Sequence, residues 1–171
     1  MTRSLLLTSA AALTLAGCAT VPPPATAPAA VAVPAEAVPP TTAPGPDFLA
    51  RNAAAQGVVT TASGLQYFIV KSGPATGAHP AANDTVSFDY EGKLTTGETF
   101  DSSYTEGHPL SGQVNKFVPG FSEALQLMRP GDEWIVWIPP TLGYGAKEVG
   151  PIPANSVLRF KLVLHSVTPA A

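Results

Sequence analysis

The sequence is poor in charged residues, in cysteine and in long apolar runs, and each shortage narrows what the protein can be. Its 12 acidic and 9 basic side chains give a net charge of −3, so no basic surface for nucleic acid is expected. Cys18 is the only cysteine, which rules out a disulfide within the chain. With 171 residues the chain has room for about one folded domain, which must be stabilised by its core.

Motifs for metal-dependent or nucleophilic chemistry are also missing. The three histidines, His79, His108 and His165, are scattered along the chain and do not predict a metal site. Residues 143–150 contain spaced glycines, but no Lys-Ser pair follows them, so a phosphate loop is not indicated. The chain has no GxSxG motif. We therefore expect neither a metal ion nor a cofactor.

The first residues have the pattern of a secretion signal. Arg3 precedes an apolar run, Leu5–Ala16, whose helical length of about 18 Å is too short for a hydrocarbon core of ~30 Å. One basic residue, a short apolar run and small residues after it are typical of a secretory signal peptide. A transmembrane helix is not expected here.

The apolar run ends in LAGC, Leu15–Cys18, which resembles the lipobox of bacterial lipoproteins. The resemblance implies that residues 1–17 are a lipoprotein signal peptide and that Cys18 is the lipidation site. Two or more acyl chains there would anchor the protein stably to a membrane. Ala19, which is not aspartate, implies the outer membrane, with the folded domain in the periplasm. The alternative is an ordinary secretory signal in which Cys18 is incidental.

Proline dominates the next segment. Nine of the 19 prolines lie between Pro22 and Pro46, and proline disfavours both helix and sheet. We interpret residues 18–46 as the lipidated cysteine followed by a semi-rigid Ala/Pro-rich linker that holds the domain away from the membrane. A Pro-rich ligand for a partner protein is the alternative interpretation.

A short helical lead-in is predicted at residues 47–60. Asp47 is a good N-cap and Gly57 suits the position after a helix, so we expect a helix from Phe48 to Gln56. The lead-in separates the linker from the globular domain, which we assign to residues 61–171.

Four segments of the globular domain have strand patterns. Apolar residues alternate with polar ones, most clearly at Val86, Phe88 and Tyr90. The four segments are residues 64–73, 85–92, 131–140 and 157–167. One-sided alternation of this kind favours an antiparallel sheet with one buried face. We interpret Phe88 and Trp134 as core residues.

Residues 119–131 break this alternation. Apolar side chains from Phe121 to Met128 recur at helical spacing, and Pro130-Gly131 end the segment. A single helix can cover one face of a twisted sheet and form one core with it. The predicted fold class is therefore α+β, with a curved antiparallel β-sheet wrapped around one short α-helix.

Two apolar residues in the third strand segment need a separate explanation. Ile135 and Trp137 would point away from Trp134, toward the outer face of the sheet. An exposed apolar pair can mark an interface with another molecule. We favour the other interpretation, in which the helical lead-in covers the pair.

Three stretches of the domain resemble the FKBP-type peptidyl-prolyl isomerases. They are VSFDYEGKLTTGETFDSSY at 86–104, FVPGFSEALQLM at 117–128 and IPPTLGYGAKEVGPIPANSVLRFKLVLHSV at 138–167. They occur in the family's order and spacing, and the match covers nearly all of residues 61–171. The resemblance implies an FKBP-like fold, isomerase activity on the bond before proline and no cofactor.

The resemblance also implies a proline-binding pocket. The residues at its catalytic positions, with Phe121 as the floor, are Tyr90, Phe100, Asp101, Phe121, Tyr144 and Phe160. In the family the tyrosine at the Tyr144 position donates from its hydroxyl to the ligand carbonyl, and the acidic residue at the Asp101 position lies beside the pocket. The further substrate-binding positions are Phe117, Val118 and Ile152. The Val118 amide is expected to donate to a bound carbonyl.

Two positions depart from the family pattern. Phe121 stands where the family usually has tryptophan, and Gly112 stands where bacterial relatives often have phenylalanine. Phe117 occupies a position that is usually valine. A smaller floor and a missing wall predict a wider, looser pocket.

The expected function is isomerisation of Xaa-Pro bonds in exported proteins. Partners implied by the resemblance are proline-containing polypeptide substrates, the membrane through a lipid anchor, and macrolide inhibitors. The departures at Phe121 and Gly112 keep a second hypothesis open, a chaperone-like binding module with little or no turnover. A third is a surface lipoprotein that uses the fold for adhesion. The sequence leaves open whether the protein is a monomer or a dimer.

Overall fold

A computed structural model of the chain describes residues 46–170. The predicted signal peptide at residues 1–17, the lipidation site at Cys18 and nearly all of the linker at residues 18–46 lie outside the described residues. Within residues 46–170, no helix is both long and apolar enough to cross a membrane.

The described residues form one antiparallel sheet of seven strands and a few short helices. The strands are β1 Val58–Thr60, β2 Gln66–Lys71, β3 Thr85–Leu94, β4 Thr99–Ser102, β5 Leu110–Gln113, β6 Glu133–Ile138 and β7 Leu158–Thr168. The helices are α1 Pro46–Ala53, α2 Ser103–Glu106 and α3 Pro119–Leu127, with 3₁₀ turns at Val114–Lys116 and Pro140–Leu142. The strand order is β1-β2-β6-β7-β3-β4, and β5 also pairs with β3.

The core lies between α3 and one face of the sheet. Every second residue of β3 is buried, from Val86 to Leu94, and β7 repeats this from Leu158 to Leu164. From α3, Phe121, Ala124 and Leu125 pack into the same core. Burying a large apolar side chain contributes about 1.5–3 kcal/mol, and the long alternating strands supply most of these side chains. The predicted α+β fold, a sheet around one short helix, is confirmed.

The outer face of the sheet has a second, smaller core under α1. Phe48 and Trp137 are 7% and 4% exposed, and Ile135 packs against this cluster. The Gln66 side chain ties α1 to the sheet by accepting from Asn52 Nδ2 and donating to the Leu49 carbonyl, both at 2.8 Å. The expectation that the lead-in covers Ile135 and Trp137 is confirmed.

The limits of α1 differ from the predicted helix of residues 48–56. The helix begins at Pro46, because proline is tolerated in the first helical turn. It ends at Ala53, since the chain must turn for Val58 to pair with Phe68. Gly57, with a φ of 83°, occupies the left-handed conformation that this turn requires.

Candidate active site

Four aromatic side chains meet between the sheet and α3, and we call them the aromatic cluster: Tyr90, Phe100, Phe121 and Phe160. Phe160 is central, with ring centroids 5.1 Å from Phe121, 5.5 Å from Phe100 and 6.4 Å from Tyr90. The Phe121 and Phe100 contacts are edge-to-face, the geometry that aromatic pairs prefer. The cluster therefore joins four elements, β3, β4, α3 and β7, through one set of ring contacts.

Strand register explains how these rings come together. Gly92 of β3 is paired with Phe160 on one side and with Asp101 on the other. The β3–β4 register shifts between Gly92 and Lys93, which leaves Phe100 as the unpaired residue of a bulge. A bulge re-aims a side chain, and here it carries the Phe100 ring over Gly92. A Cβ at Gly92 would lie 2.7 Å from the Phe100 ring and 2.8 Å from the Phe160 ring. Only a glycine leaves room for both rings.

Tyr90 and Asp101 form a hydrogen bond at the edge of the cluster. The Tyr90 hydroxyl donates to Asp101 Oδ2 at 2.8 Å. Burial raises the pKa of Tyr90, and the Asp101 carboxylate raises it further by accepting this bond and by its charge. The hydroxyl therefore stays protonated, and its proton is engaged by Asp101. Asp101 itself is exposed.

The chain after Asp101 is fixed to β3 by a network that the sequence did not predict. The Ser103 hydroxyl accepts from the Tyr90 N–H at 3.0 Å and donates to Asp89 Oδ1 at 2.8 Å. His165 Nε2 lies 2.7 Å from Asp89 Oδ2. His165 is the unpaired residue of a bulge in β7, which brings its ring toward Asp89. The network orders the segment that carries Asp101 and, through Tyr90, the cluster itself.

The Asp89 carboxylate should make stability depend on pH. Burial raises its pKa, but the hydrogen bonds from His165 and Ser103 and the nearby imidazole outweigh this, and the net pKa lies below that of an ordinary aspartate. A lowered folded-state pKa means that the stabilisation is present above the unfolded value of about 4 and is lost as pH falls through the folded-state pKa. We expect Asp89→Asn to lower the free energy of unfolding by about 1–3 kcal/mol at pH 7.

Urea unfolding of wild type and Asp89→Asn between pH 2 and 7 checks this expectation. The difference in free energy of unfolding between the two proteins should become smaller below about pH 4. Glu98→Gln, which removes a carboxylate from an exposed turn, is the matched control and should change little. A difference that stays constant down to pH 2 would show that the Asp89 charge is not what stabilises the fold.

The remaining expected site residues lie on two further segments. Tyr144 is 36% exposed and close enough to Tyr90 to raise the pKa of that hydroxyl. Its loop is closed by the Asn155 N–H, which donates to the Gly145 carbonyl at 2.7 Å. Ile152, on the same loop, is 4% exposed and belongs to the main core. The structure thus leaves Tyr144 partly exposed on this loop and buries Ile152 in the main core.

Val118 lies at the start of α3, where it is the N-cap residue. Its side chain is half-buried against the main core. Within the described residues its N–H makes no hydrogen bond, whereas its carbonyl accepts from the Ser122 N–H at 3.0 Å. The Val118 N–H therefore has no hydrogen-bond partner among residues 46–170.

The side of the cluster near Gly112 requires a correction. A missing wall was predicted there, but the Phe117 ring lies against Gly112, and a Cβ at Gly112 would be 3.0 Å from its Cζ. Phe117 also packs on Phe121, with ring centroids 5.3 Å apart. The space next to Gly112 is thus filled by a ring from a neighbouring position. Phe121 is 5% exposed and packs on Phe160.

The aromatic cluster is largely buried: Tyr90, Phe121 and Phe160 are 7%, 5% and 6% exposed, and Phe100 is half-buried. The polar groups that the resemblance implies for the site are the Tyr144 hydroxyl, the Val118 N–H and the Asp101 carboxylate. Within residues 46–170, no three His, Cys, Asp or Glu side chains are placed to hold a metal ion. An antiparallel sheet packed on one helix, with aromatic rings between them, is the fold class of the FKBP-type domains that the sequence resembles.

Comparison with known families agrees with this class. A model of the FKBP-type peptidyl-prolyl cis-trans isomerase matches residues 77–165, just over half of the chain. A model of the domain amino-terminal to such isomerases matches residues 30–69. The chain belongs to the FKBP-type peptidyl-prolyl cis-trans isomerase family.

Individual relatives are similar to about three quarters of this chain. The outer membrane protein MIP of Legionella longbeachae is 46% identical over 130 residues, covering 75% of this chain and 55% of that protein. The FKBP-type isomerase FkpA of Aeromonas hydrophila is 44% identical over 128 residues, which cover 74% of this chain and 47% of that protein. The chain spans about half the length of these curated relatives.

Two solved structures share the fold. The crystal structure of FkpA from Escherichia coli superimposes with a TM-score of 0.69 at 39% identity, covering 73% of this chain and 58% of that one. A peptidyl-prolyl cis-trans isomerase from Pseudomonas syringae pv. tomato gives a TM-score of 0.66 at 32% identity, covering 72% and 90%. The match therefore covers most of the second structure.

Proposed function

We propose that the protein catalyses cis/trans isomerisation of Xaa-Pro bonds in exported proteins, with the prolyl ring bound against the aromatic cluster. The observation that carries this proposal is the packing of Phe160 onto Phe121, Phe100 and Tyr90, with centroids 5.1–6.4 Å apart. Each of these residues occupies its matching position in the family motifs. Substrates are proline-containing segments of unfolded or partly folded chains.

The proposed chemistry needs no nucleophile, base or metal. Rotation about the Xaa-Pro bond must cross a barrier of ~18–20 kcal/mol, because twisting the C–N bond destroys amide resonance. Water stabilises the planar, polar amide, whereas an aromatic surface from which water is excluded does not. Lowering the barrier by ~4 kcal/mol would accelerate the reaction about a thousandfold.

The polar groups have separate roles in this proposal. The Tyr90 hydroxyl already donates to Asp101 at 2.8 Å, so it is not free to donate to a substrate. Tyr144 and the Val118 N–H are therefore the donors to substrate carbonyls. Asp101 orients Tyr90 and sets the field at the edge of the cluster. Phe121 supports the flat face of the prolyl ring, and Ile152 and Phe117 are apolar neighbours.

Tyr144→Phe tests this division of roles. Loss of one hydrogen bond, worth about 1 kcal/mol, should lower kcat/KM for a short Leu-Pro peptide about fivefold. Tyr67→Phe is the matched control, because Tyr67 stacks on Trp134 at 4.5 Å outside the aromatic cluster. Its kcat/KM should equal that of wild type. An unchanged rate in Tyr144→Phe would remove Tyr144 from the site.

A binding module with weak turnover is the second candidate. It is favoured by Phe121, which gives a smaller floor than the tryptophan usual in the family. Peptide binding followed by NMR separates the two candidates. A binding module would show saturable shifts of the peptide without faster exchange, whereas an isomerase would show both. Macrolides that bind the family's pocket should compete with the peptide in either case.

The proposed location is the bacterial envelope, with the protein anchored through lipid on Cys18. Support comes from the LAGC motif and from the relative named as an outer membrane protein. The linker at residues 18–46 would hold the domain away from the membrane, within reach of chains that cross the periplasm.

Cys18→Ser tests the anchor. Lipidation requires the thiol, so the variant should lose incorporation of labelled palmitate in cells. Wild type should fractionate with outer membranes and be released only by detergent. Thr20→Ser, a conservative change two residues away, is the control and should behave like wild type. Palmitate incorporation that persists in Cys18→Ser would contradict the anchor proposal.

A further inference from the structure

Gly112 lies in β5, paired with Val86 of β3, and its backbone does not explain why it is a glycine. It is not among the residues with positive φ, so other side chains could adopt its conformation. The limiting factor is space. A Cβ at this position would lie 3.0 Å from Cζ of Phe117, and 3.7 and 3.9 Å from the two adjoining ring atoms. The Phe117 ring therefore rests directly on the Gly112 backbone.

Phe117 is held in this position from several sides. Its ring contacts Phe88 edge-on at 5.4 Å and Phe121 at 5.3 Å. Its carbonyl accepts from the Ser122 hydroxyl at 3.2 Å, and that hydroxyl also donates to the Val114 carbonyl at 2.6 Å. Phe117 is half-buried and packs against the main core. It has little freedom to move without disturbing Phe121.

We infer that Gly112 and Phe117 act as a coupled pair that forms the wall beside Phe121 and so determines which residues next to proline the site accepts. This inference rests on the proposed function and adds a specificity determinant to it. A side chain added at Gly112 would push the Phe117 ring toward Phe121 and narrow the site. A smaller residue at Phe117 would leave a gap and widen it. Making both changes would restore one ring to the same region.

A double-mutant cycle tests the pair. The proteins are full-length wild type, Gly112→Phe, Phe117→Val and the double variant. The measurements are kcat/KM for peptides with Ala, Leu or Phe before proline, and the thermal midpoint of unfolding. Each single change should alter the ratio of kcat/KM for Phe-Pro over Ala-Pro at least threefold. The double variant should return to within twofold of the wild-type ratio, with a midpoint above that of Gly112→Phe.

Two further variants keep the test decisive. Gly112→Ala places only a Cβ against the Phe117 ring and serves if Gly112→Phe does not fold. Combined with Phe117→Val, which removes the ring that the Cβ would displace, Gly112→Ala should shift the ratio no further than Phe117→Val does alone. Ser111→Phe adds a ring on an exposed residue of the same strand and should leave the ratio unchanged. The two single changes shift the ratio in opposite directions, so the midpoint decides between the outcomes. Midpoint losses that simply add in the double variant would overturn the inference.

The cycle also separates failure of this inference from failure of the proposed function. If wild type has no turnover, the isomerase proposal fails. The pair can still be tested through the affinities of the same three peptides and the midpoints. Non-additive affinities and midpoints would then support the pair, and additive ones would reject it.

Discussion

Gly92→Ala is expected to lower kcat/KM at least tenfold while leaving a folded protein. The added Cβ would lie 2.7 Å from the Phe100 ring and 2.8 Å from the Phe160 ring, so both rings must move. Overpacking of this kind lowers the free energy of unfolding by about 1–3 kcal/mol. Because folded domains typically have a free energy of unfolding of about 5–15 kcal/mol, the variant should still fold. The fractional loss of kcat/KM should exceed the fractional loss of stability, because the displaced rings form two sides of the proposed site. Peptide isomerisation and urea unfolding measure the two effects.

Ser87→Thr is the matched control for Gly92→Ala. It adds one methyl group to the same strand at a half-buried residue that does not belong to the core face. Activity and stability should change little, since β-branched residues suit strands. Unchanged kcat/KM in Gly92→Ala, with the loss of stability present, would show that the positions of Phe100 and Phe160 do not matter for turnover.

Phe160 substitutions should separate the packing role of the ring from its role in the site. Phe160→Ala should cost about 3–5 kcal/mol of stability, because the ring is 6% exposed and contacts three other aromatic rings. Phe160→Leu keeps most of the buried volume and should cost about half as much. Its kcat/KM should nevertheless fall at least tenfold, since the aromatic face is gone. Urea unfolding measures the loss of stability, and peptide isomerisation, normalised to the folded fraction, measures kcat/KM.

Leu164→Ala is the matched control for the Phe160 variants. Leu164 is fully buried on the same face of β7, but it lies four residues away, outside the aromatic cluster. The variant should lose about 2–5 kcal/mol of stability and keep its activity per folded molecule. If Leu164→Ala and Phe160→Leu reduced activity equally, the effect of Phe160 would be one of stability alone.

The long elements of the fold could be predicted from the sequence because each one carries its own pattern. The alternation in β3 and β7 and the helical spacing in α3 indicate which faces are buried, and β2 and β6 follow in the same way. The strands β4 and β5 could not be predicted, since each has four residues and β5 includes Gly112. Their existence depends on pairing with β3, which no local pattern reports.

The candidate site was predictable only where the family motifs reach. Those motifs name the members of the aromatic cluster, and the structure brings them together because β3 and β7 are neighbours despite their separation along the chain. The network of Asp89, Ser103 and His165 lies beyond such reasoning. It depends on a bulge in β7 and on the pairing of β3 with β7, which together bring His165 to Asp89, 76 positions away in the sequence.

The positions of Phe117 and Gly112 illustrate a different limit. Considered alone, Gly112 in place of the phenylalanine found in bacterial relatives suggests that one wall of the site is missing. The structure shows that the ring of Phe117 occupies that space. Compensation between two residues appears only when their distance is known, so single-position reasoning predicted the wrong shape for this side of the site.

The central claim, that the aromatic cluster catalyses rotation about Xaa-Pro bonds, is tested most directly by NMR exchange spectroscopy of a short Leu-Pro peptide. Uncatalysed exchange takes tens to hundreds of seconds. We expect catalytic amounts of the folded protein to accelerate it strongly, an FKBP-directed macrolide to suppress the acceleration, and Phe160→Leu to weaken it. A folded protein that binds the peptide and leaves its exchange rate unchanged would contradict the claim and favour the binding module.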